Sequence, residues 1–357
     1  MTGLVVAFAI PGDLATATGG YIYDRRLIEE WTAQGITVDH IALGASFPDP
    51  TPGDTEDARG QLAAVPRWCP LVIDGLALGA LDPGVLATVS APIMALIHHP
   101  LALEGGHSAS RREFLFRTER ENLARASQVV VTSPHTAEIL VQDYGVRSRD
   151  ITIAQPGTDK PISGATPSTP PLIVSVGNQV PRKGHDVLLR ALSEILDIPW
   201  RAVIAGSILD EAYGVELESM RQDLGLADRV TLAGFVSEES LAELYSSATV
   251  FALATRFEGY GMVFNDAMAH GLPIVSCRTG AVPDTVAPGA GVLVPPDEPS
   301  LFADALRSIL EDQEVRRAAA TASAAAGSLL VSWKETAAQV AAVLSSLAAR
   351  GALDDPR

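Results

Sequence analysis

The chain has 357 residues, 47% apolar and 19% charged, with a formal charge of −17. That length exceeds one ordinary core and suits two domains. The acidic balance excludes a general nucleic-acid binder, which needs a basic footprint, and it weakens the case for broad attachment to anionic membranes. Cys69 and Cys277 are too few for a disulfide framework or a Cys-rich metal site, and they point to a reducing, cytoplasmic location.

The first element is Leu4–Ile10 (LVVAFAI). It has no charged n-region before it and is too short for a signal peptide, so it reads as a buried strand. No apolar run approaches the ~18 residues of a membrane span. Further strands are expected at Val38–Leu43, Leu71–Ile73, Ile93–Ile97, Val129–Thr132 and Ile151–Ile153, with helices at Tyr21–Gln34 and Arg111–Ala126. Such alternation predicts an α/β fold with a parallel sheet covered on both faces.

The Pro-rich stretch Lys160–Pro171 (KPISGATPSTPP) carries no helical or strand period and reads as a linker. The alternation then restarts. Strands are expected at Leu172–Val176, Ala202–Ile204, Val230–Ala233, Val250–Ala252, Pro273–Ser276 and Val292–Val294. Helices are expected at His185–Leu196, Leu217–Leu224, Ser240–Ala248, Met262–His270 and Ser300–Glu311, before an Ala-rich helical tail from Val315 to Ala349. This gives domains at 1–159 and 172–332 around the linker 160–171. Ligands of open α/β sheets bind beyond the carboxyl ends of the strands, so the chemistry is expected where the two domains face each other across a cleft.

The segment Arg256–Ser276 (RFEGYGMVFNDAMAHGLPIVS) carries the strongest local signal. A strand ends near Ala254, Glu258 follows in a turn, and Gly259 and Gly261 permit tight geometry and close ligand approach. A helix starts at Gly261 or Met262. Its unpaired amides and positive dipole end favour an anion such as phosphate. Asp266 lies about one turn further in. Two carboxylates around an anion-receptive helix start suit a ligand with phosphates in the middle and hydroxyls at both ends. The plain alternative is a surface helix with solvated acids.

Three other strand-end loops carry candidates. Gly177–Gly184 (GNQVPRKG) offers Arg182 and Lys183 to phosphate, against the commoner fate of solvated surface cations. Pro11–Gly20 (PGDLATATGG) is a Gly-rich turn without the dinucleotide fingerprint. His98 and His99 end a strand, where a histidine can act on a ligand or simply pack. No H-E-x-x-H, C-x-x-C or D-x-D pattern supports a metal, so no metal or other cofactor is expected. A G-x-S-x-G elbow is also missing.

Together these segments resemble the retaining GT-B-fold glycosyltransferases of family 4, typified by bacterial mannosyl- and glucosyltransferases. The family pattern E-G-[FY]-G-x-x-x-x-E-A-M-A-x-G-x-P-V appears as Glu258-Gly259-Tyr260-Gly261, Asp266-Ala267-Met268-Ala269, Gly271 and Pro273. Pro156-Gly157-Thr158-Asp159, Lys183-Gly184-His185-Asp186, Ala205-Gly206-Ser207, Gly234-Phe235-Val236 and Gly280-Ala281-Val282-Pro283-Asp284 follow the family's turns in order.

The resemblance implies two Rossmann-like domains, with a final helix at 333–350 crossing back onto the first. It implies that the first domain presents a hydroxyl acceptor and the second binds a UDP-, GDP- or ADP-linked sugar. The donor would lie on Gly206, Phe235, Val236 and the run Glu258-Gly259-Tyr260-Gly261-Met262-Val263. Glu258 would accept from sugar hydroxyls, Asp266 from ribose, and Lys183 with Arg182 would neutralise the departing diphosphate. His98 would stand at the sugar, with His99 as rival, and Gly19 and Gly20 near the phosphates. The implied catalytic residues are His98, Glu258 and Lys183, in a metal-independent front-face reaction.

Two positions depart from the family pattern. Asp266 replaces a glutamate and is shorter by one C–C bond of ~1.5 Å. Asn178 stands where an arginine is often found. The competing readings are a sugar phosphorylase or nucleotide-sugar epimerase of the same fold, and a non-catalytic nucleotide-sugar binder. Arg111–Arg125 (RREFLFRTERENLAR) reads as an amphipathic helix packed on the sheet, with its arginines partly paired to Glu113, Glu119 and Glu121. A peripheral contact with the inner face of the membrane is the less favoured alternative for this helix.

Overall fold

The structure, a computed structural model, describes residues 3–161 and 166–353. Residues 162–165 of the expected linker lie outside the described residues. The chain forms two compact units, one of Met1–Gly157 with Val331–Arg357 and one of Thr158–Leu330.

In the first unit, β1 (Val5–Pro11), β2 (Thr37–Leu43), β3 (Leu71–Asp74), β4 (Ile93–Ile97), β5 (Gln128–Val131) and β6 (Ile151–Ile153) form one sheet in the order β2-β1-β3-β4-β5-β6. Every pairing is parallel. Central strands of such a sheet are buried on both faces, which is why their sequences are apolar runs. Phe8, Ile10, Leu71, Ile73, Met94 and Leu96 are fully buried accordingly. The strand order reverses beside β1, so loops after β1 and β3 flank a switch point, where α/β sheets bind ligands.

The helix Trp333–Leu353 completes this unit by packing on the first helix, Gly19–Ala33. The Trp31 indole donates to Ala337 O at 2.9 Å, and Trp333 meets Tyr23 edge-on at 5.6 Å. The Ala-rich tail is two helices, Gln313–Gly327 and Trp333–Leu353, and they belong to different units. The break is a capping box: Ser332 N donates to Glu335 Oε2 at 2.8 Å, and Glu335 N to Ser332 Oγ at 3.3 Å.

The helix Ala109–Leu123 buries Leu115, Glu119, Asn122 and Leu123, and Arg111 pairs with Asp49 at 2.7 Å. Glu119 was expected to pair with the arginines. Instead it is fully buried and accepts from Leu101 N at 3.2 Å, because it lies on the apolar stripe. Among the described residues, no helix is long and apolar enough to cross a membrane.

The second unit repeats the plan with β7 (Leu172–Val176), β8 (Arg201–Ala205), β9 (Val230–Gly234), β10 (Val250–Leu253), β11 (Ile274–Cys277) and β12 (Gly291–Val294). The order is β12-β11-β10-β7-β8-β9, again all parallel. This is the doubly wound dinucleotide-binding order, with its switch point between β7 and β10. Thr166 N and Ser168 N donate to Ser246 O and Ser247 O at 2.8 and 2.9 Å, so this part of the expected linker lies along the second unit.

Candidate active site

The loops after β7 and β10 meet at the switch point of the second unit. Gly184 has φ +65, and a Cβ there would stand 1.9 Å from Ala254 O, so the loop after β7 packs backbone to backbone on the end of β10. Arg256 N donates to Arg182 O at 2.8 Å, and the Thr255 hydroxyl oxygen lies 3.1 Å from the same carbonyl. Arg256 grips Asp186 through two bonds of 2.9 and 2.8 Å. Burial raises the Asp186 pKa, but Arg256 and Tyr213 outweigh it and hold the carboxyl below its usual range.

This frame places Lys183 Nζ 2.8 Å from Glu258 Oε1, which also accepts from the Thr255 hydroxyl at 2.9 Å. Glu258 is 5% exposed, far from a solvated acid. Burial works to raise its pKa, yet the charges of Lys183 and Arg182 hold it below the ordinary value, so the carboxylate is ionised. Oε2 faces Arg182 Nη1 at 3.6 Å, beyond hydrogen-bond range, and keeps acceptor capacity. The Glu258 carbonyl accepts from Ala281 N at 2.9 Å. A Cβ on Gly280, at φ +50, would stand 2.3 Å from that carbonyl oxygen.

Gly261 follows at φ +88 and caps the helix Met262–Ala269 with no side-chain bond. The helices starting at Gly19, His185 and, after β12, Pro299 also lack a side-chain cap, whereas Ser108, Ser133, Asp210 and Ser237 cap theirs. The uncapped starts at Gly19, His185 and Met262 follow β1, β7 and β10, the strands at or beside the switch points. Their first-turn amides suit an anion.

Tyr260 is buried and bonds through its hydroxyl to Asn265, which also reaches Thr158 at 3.2 Å. Asp266 is half-buried on the same helix. Burial first, then the charge of Asp159, push its pKa up to about 7. Gly206 presses on the Gly177 carbonyl, where a Cβ would lie at 2.0 Å. Asn178 ties the same two loops by accepting from Ser207 N at 3.2 Å. Phe235, 69% exposed, and the half-buried Val236 follow β9, two strands away from β7.

In the first unit His98 follows β4, with its ring against the first helix. A Cβ on Gly20 would stand 3.1 Å from His98 Cδ2. His98 Nε2 lies 3.3 Å from Asp24 Oδ1 and 3.6 Å from Asp74 Oδ2. Burial lowers the His98 pKa, but the two carboxylates prevail and raise it. Burial and Asp74 raise that of Asp24. Among the described residues, these three side chains are the group that brings three metal-competent atoms within 4.8 Å of one another. His99 pairs with Glu104 instead.

The sequence reading did not single out Asp24, Asp74, Thr255 or Gly280. Asp24 is legible in retrospect as an acid on the buried stripe of an amphipathic helix, with Tyr23, Leu27 and Trp31.

Two doubly wound parallel sheets in one chain, with the last helix packed on the first unit, are the GT-B fold. Residues 158–325 match the family described as glycosyl transferases group 1. It is similar to the D-inositol 3-phosphate glycosyltransferase of Corynebacterium diphtheriae, 29% identical over 252 residues, which cover 63% of this chain and 58% of that one. It is also similar to that of Xylanimonas cellulosilytica, 33% identical over 241 residues, 62% and 57% of the two chains. The chain thus spans less than two thirds of these relatives' length. Among solved structures, sucrose-phosphate synthase from Thermosynechococcus elongatus superposes with a TM-score of 0.81 at 22% identity, covering 97% of this chain and 100% of that one. Anabaena Alr3699/HepE in complex with UDP-glucose superposes at 0.77 and 18%, covering 96% and 100%.

Proposed function

We propose that the protein is a retaining glycosyltransferase that moves a hexose from a nucleoside-diphosphate sugar to a hydroxyl acceptor without a metal. The observation that carries this reading is the buried Lys183–Glu258 pair, set at a switch point beside the uncapped helix Met262–Ala269. The names of the relatives and the UDP-glucose complex of the structural neighbour support it.

In this reading the second unit holds the donor. The amides of Met262 and Val263 receive the diphosphate, and Asp266 accepts from the ribose. Glu258, ionised and with Oε2 available, accepts from sugar hydroxyls. Breaking the glycosyl–phosphate bond leaves negative charge on the diphosphate and positive character on the sugar. Lys183, Arg182 and the helix start are fixed donors for the first, and Glu258 is a fixed anion for the second. The acceptor hydroxyl attacks the face that the diphosphate leaves, and its proton passes to the departing phosphate oxygen. The first unit presents the acceptor, with His98 at the sugar.

The test is a thermal-shift panel of UDP-, GDP- and ADP-sugars, followed by analysis of products with a set of hydroxyl acceptors. A bound donor raises Tm by mass action. At least one donor should raise Tm and release its nucleoside diphosphate, with the anomeric configuration retained in the product. Glu258→Gln and Lys183→Ala should each lower kcat by roughly 10–150-fold, the worth of one charged hydrogen bond. A panel with no shift and no turnover would sink the reading.

A further inference from the structure

His98 is held on several sides. Its carbonyl accepts from the hydroxyls of Thr132 and Thr136 at 3.2 and 3.4 Å. Tyr23 meets the ring edge-on at 5.3 Å and 77°, and a Cβ on Gly20 would make a tight 3.1 Å contact with Cδ2. Two acids converge on Nε2. Asp74, at the end of β3, uses Oδ1 to accept from Leu76 N at 2.9 Å and turns Oδ2 to the ring. Asp24, 1% exposed, has no hydrogen-bond donor on either oxygen, so the imidazole in ion-pair range is the cation on hand for it. Nε2 is shut off from solvent and makes no hydrogen bond, so the two acids act on it by charge at 3.3 and 3.6 Å; the side chain keeps 20% exposure, which therefore lies on its other edge.

Two buried carboxylates for one imidazole is a costly arrangement. A buried ion pair seldom outdoes an apolar replacement in stability, and a second acid adds uncompensated charge. What the arrangement does supply is a ring of fixed orientation and fixed charge. We infer that Asp24 and Asp74 are positioning residues for His98: they anchor the ring through Nε2 and leave its outward Nδ1–H as a hydrogen-bond donor to an oxygen of the transferred sugar. The sugar part of this inference rests on the proposed transferase reading; the anchoring of the ring does not.

The groups facing the ring are Asp24 and Tyr23 from the first helix and Asp74 from β3, with Tyr21 nearby. Burial and both aspartates push the Tyr21 hydroxyl up to about 12, so it stays neutral through the working range. The acids raise the His98 pKa, so the ring is charged at neutral pH and loses its proton only in alkali. Removing one acid should return that loss toward the ordinary imidazole value of about 6.5.

The experiment uses the whole chain with 15N-labelled histidine, the His98 signals being assigned by their loss in His98→Gln. In the unsubstituted protein the ring should stay doubly protonated at pH 8. In Asp74→Asn and in Asp24→Asn it should titrate at least about one unit lower, as expected when a charged partner goes. A ring that titrates near 6.5 in the unsubstituted protein, or that ignores both substitutions, overturns the inference. That readout needs no substrate, so it stands or falls apart from the transferase reading.

With an active donor, Asp74→Asn should lower kcat roughly 10–100-fold at little change in donor KM, and shift the alkaline fall of the pH profile toward neutrality. Asp74→Asn should add nothing in a His98→Gln background. Full activity in both aspartate variants, or additive losses with His98→Gln, overturns the inference. Dialysis against EDTA should change nothing. Activity lost to EDTA and restored by zinc would assign the three side chains to a metal and overturn it as well.

Discussion

Glu258 and Asp266 are two acids of one short segment with opposite surroundings, and their pH dependence should differ in sign. The Glu258 pKa is depressed in the fold by Lys183 and Arg182. Its contribution to stability is present above the unfolded value of about 4.3 and is lost as pH falls through the folded value. Lys183→Ala should therefore destabilise at pH 7 by up to about 3–5 kcal/mol, less what Arg182 recovers, and the deficit should shrink between pH 7 and pH 3 as the carboxylate takes up its proton. Urea melts at both pH values check this. Asp266 is raised to about 7 by burial and Asp159. The fold prefers its neutral form, so stability falls as pH rises from about 4 to 7. Asp266→Asn should raise Tm at pH 8 by roughly 2–4 °C or more and leave it unchanged at pH 4. It should also weaken donor binding by the loss of a ribose acceptor. An unchanged Tm at pH 8 would show that the acid is not strained. Motif spacing found both acids, but only the surroundings assign their charge states, and those come from Lys183, Arg182 and Asp159, which reach them from other segments.

The helix Met262–Ala269 depends on one residue for its entry. Gly261 sits at φ +88, where an L side chain is strained, and a Cβ would lie 2.6 Å from the Phe264 ring, itself fully buried. Gly261→Ala should cost about 1–3 kcal/mol through strain. It should also weaken binding of the nucleoside diphosphate more than the stability loss alone explains, because the amides of the first turn move. Isothermal calorimetry with UDP and with GDP checks it, and an unchanged affinity would remove this helix start from the phosphate site. The helix and the twelve strands of the described residues were readable as apolar runs between glycine and proline turns. Ile93–Ile97 and Leu172–Val176 hold the expected bounds. The helices Pro52–Ala63 and Pro134–Gln142 were missed, since the first is polar almost throughout and the second is a short one entered at a proline. The start of the returning helix at Trp333 was expected only through the family resemblance, although Ser332 and Glu335 spell its capping box. Alanine bias drowned the local signal, which rests on two side chains.

The chain passes from one unit to the other twice, at 157/158 and at 330/331. Each unit closes its own sheet and core, so each has the means to unfold as a unit. The candidate residues divide the same way: His98, Asp24, Asp74, Gly19 and Gly20 in the first unit, and Lys183, Glu258 and Asp266 in the second. Substitutions at distant, unconnected sites add, and a ligand stabilises the part of the molecule that binds it. Scanning calorimetry should therefore resolve two transitions with separate sensitivities. The one raised by a saturating nucleoside diphosphate should be the one lowered by Gly261→Ala. The other should be lowered by Trp333→Ala, which removes the edge contact with Tyr23 and the stacking of Arg26, whose Cζ lies 5.4 Å from the indole centre. Loss of that buried indole, 5% exposed, should cost about 3–5 kcal/mol and leave the nucleotide-sensitive transition in place. A single transition that both the nucleotide and Trp333→Ala move would mean that the returning helix couples the two units into one folding body, and the donor's effect would then reach His98 through the fold itself.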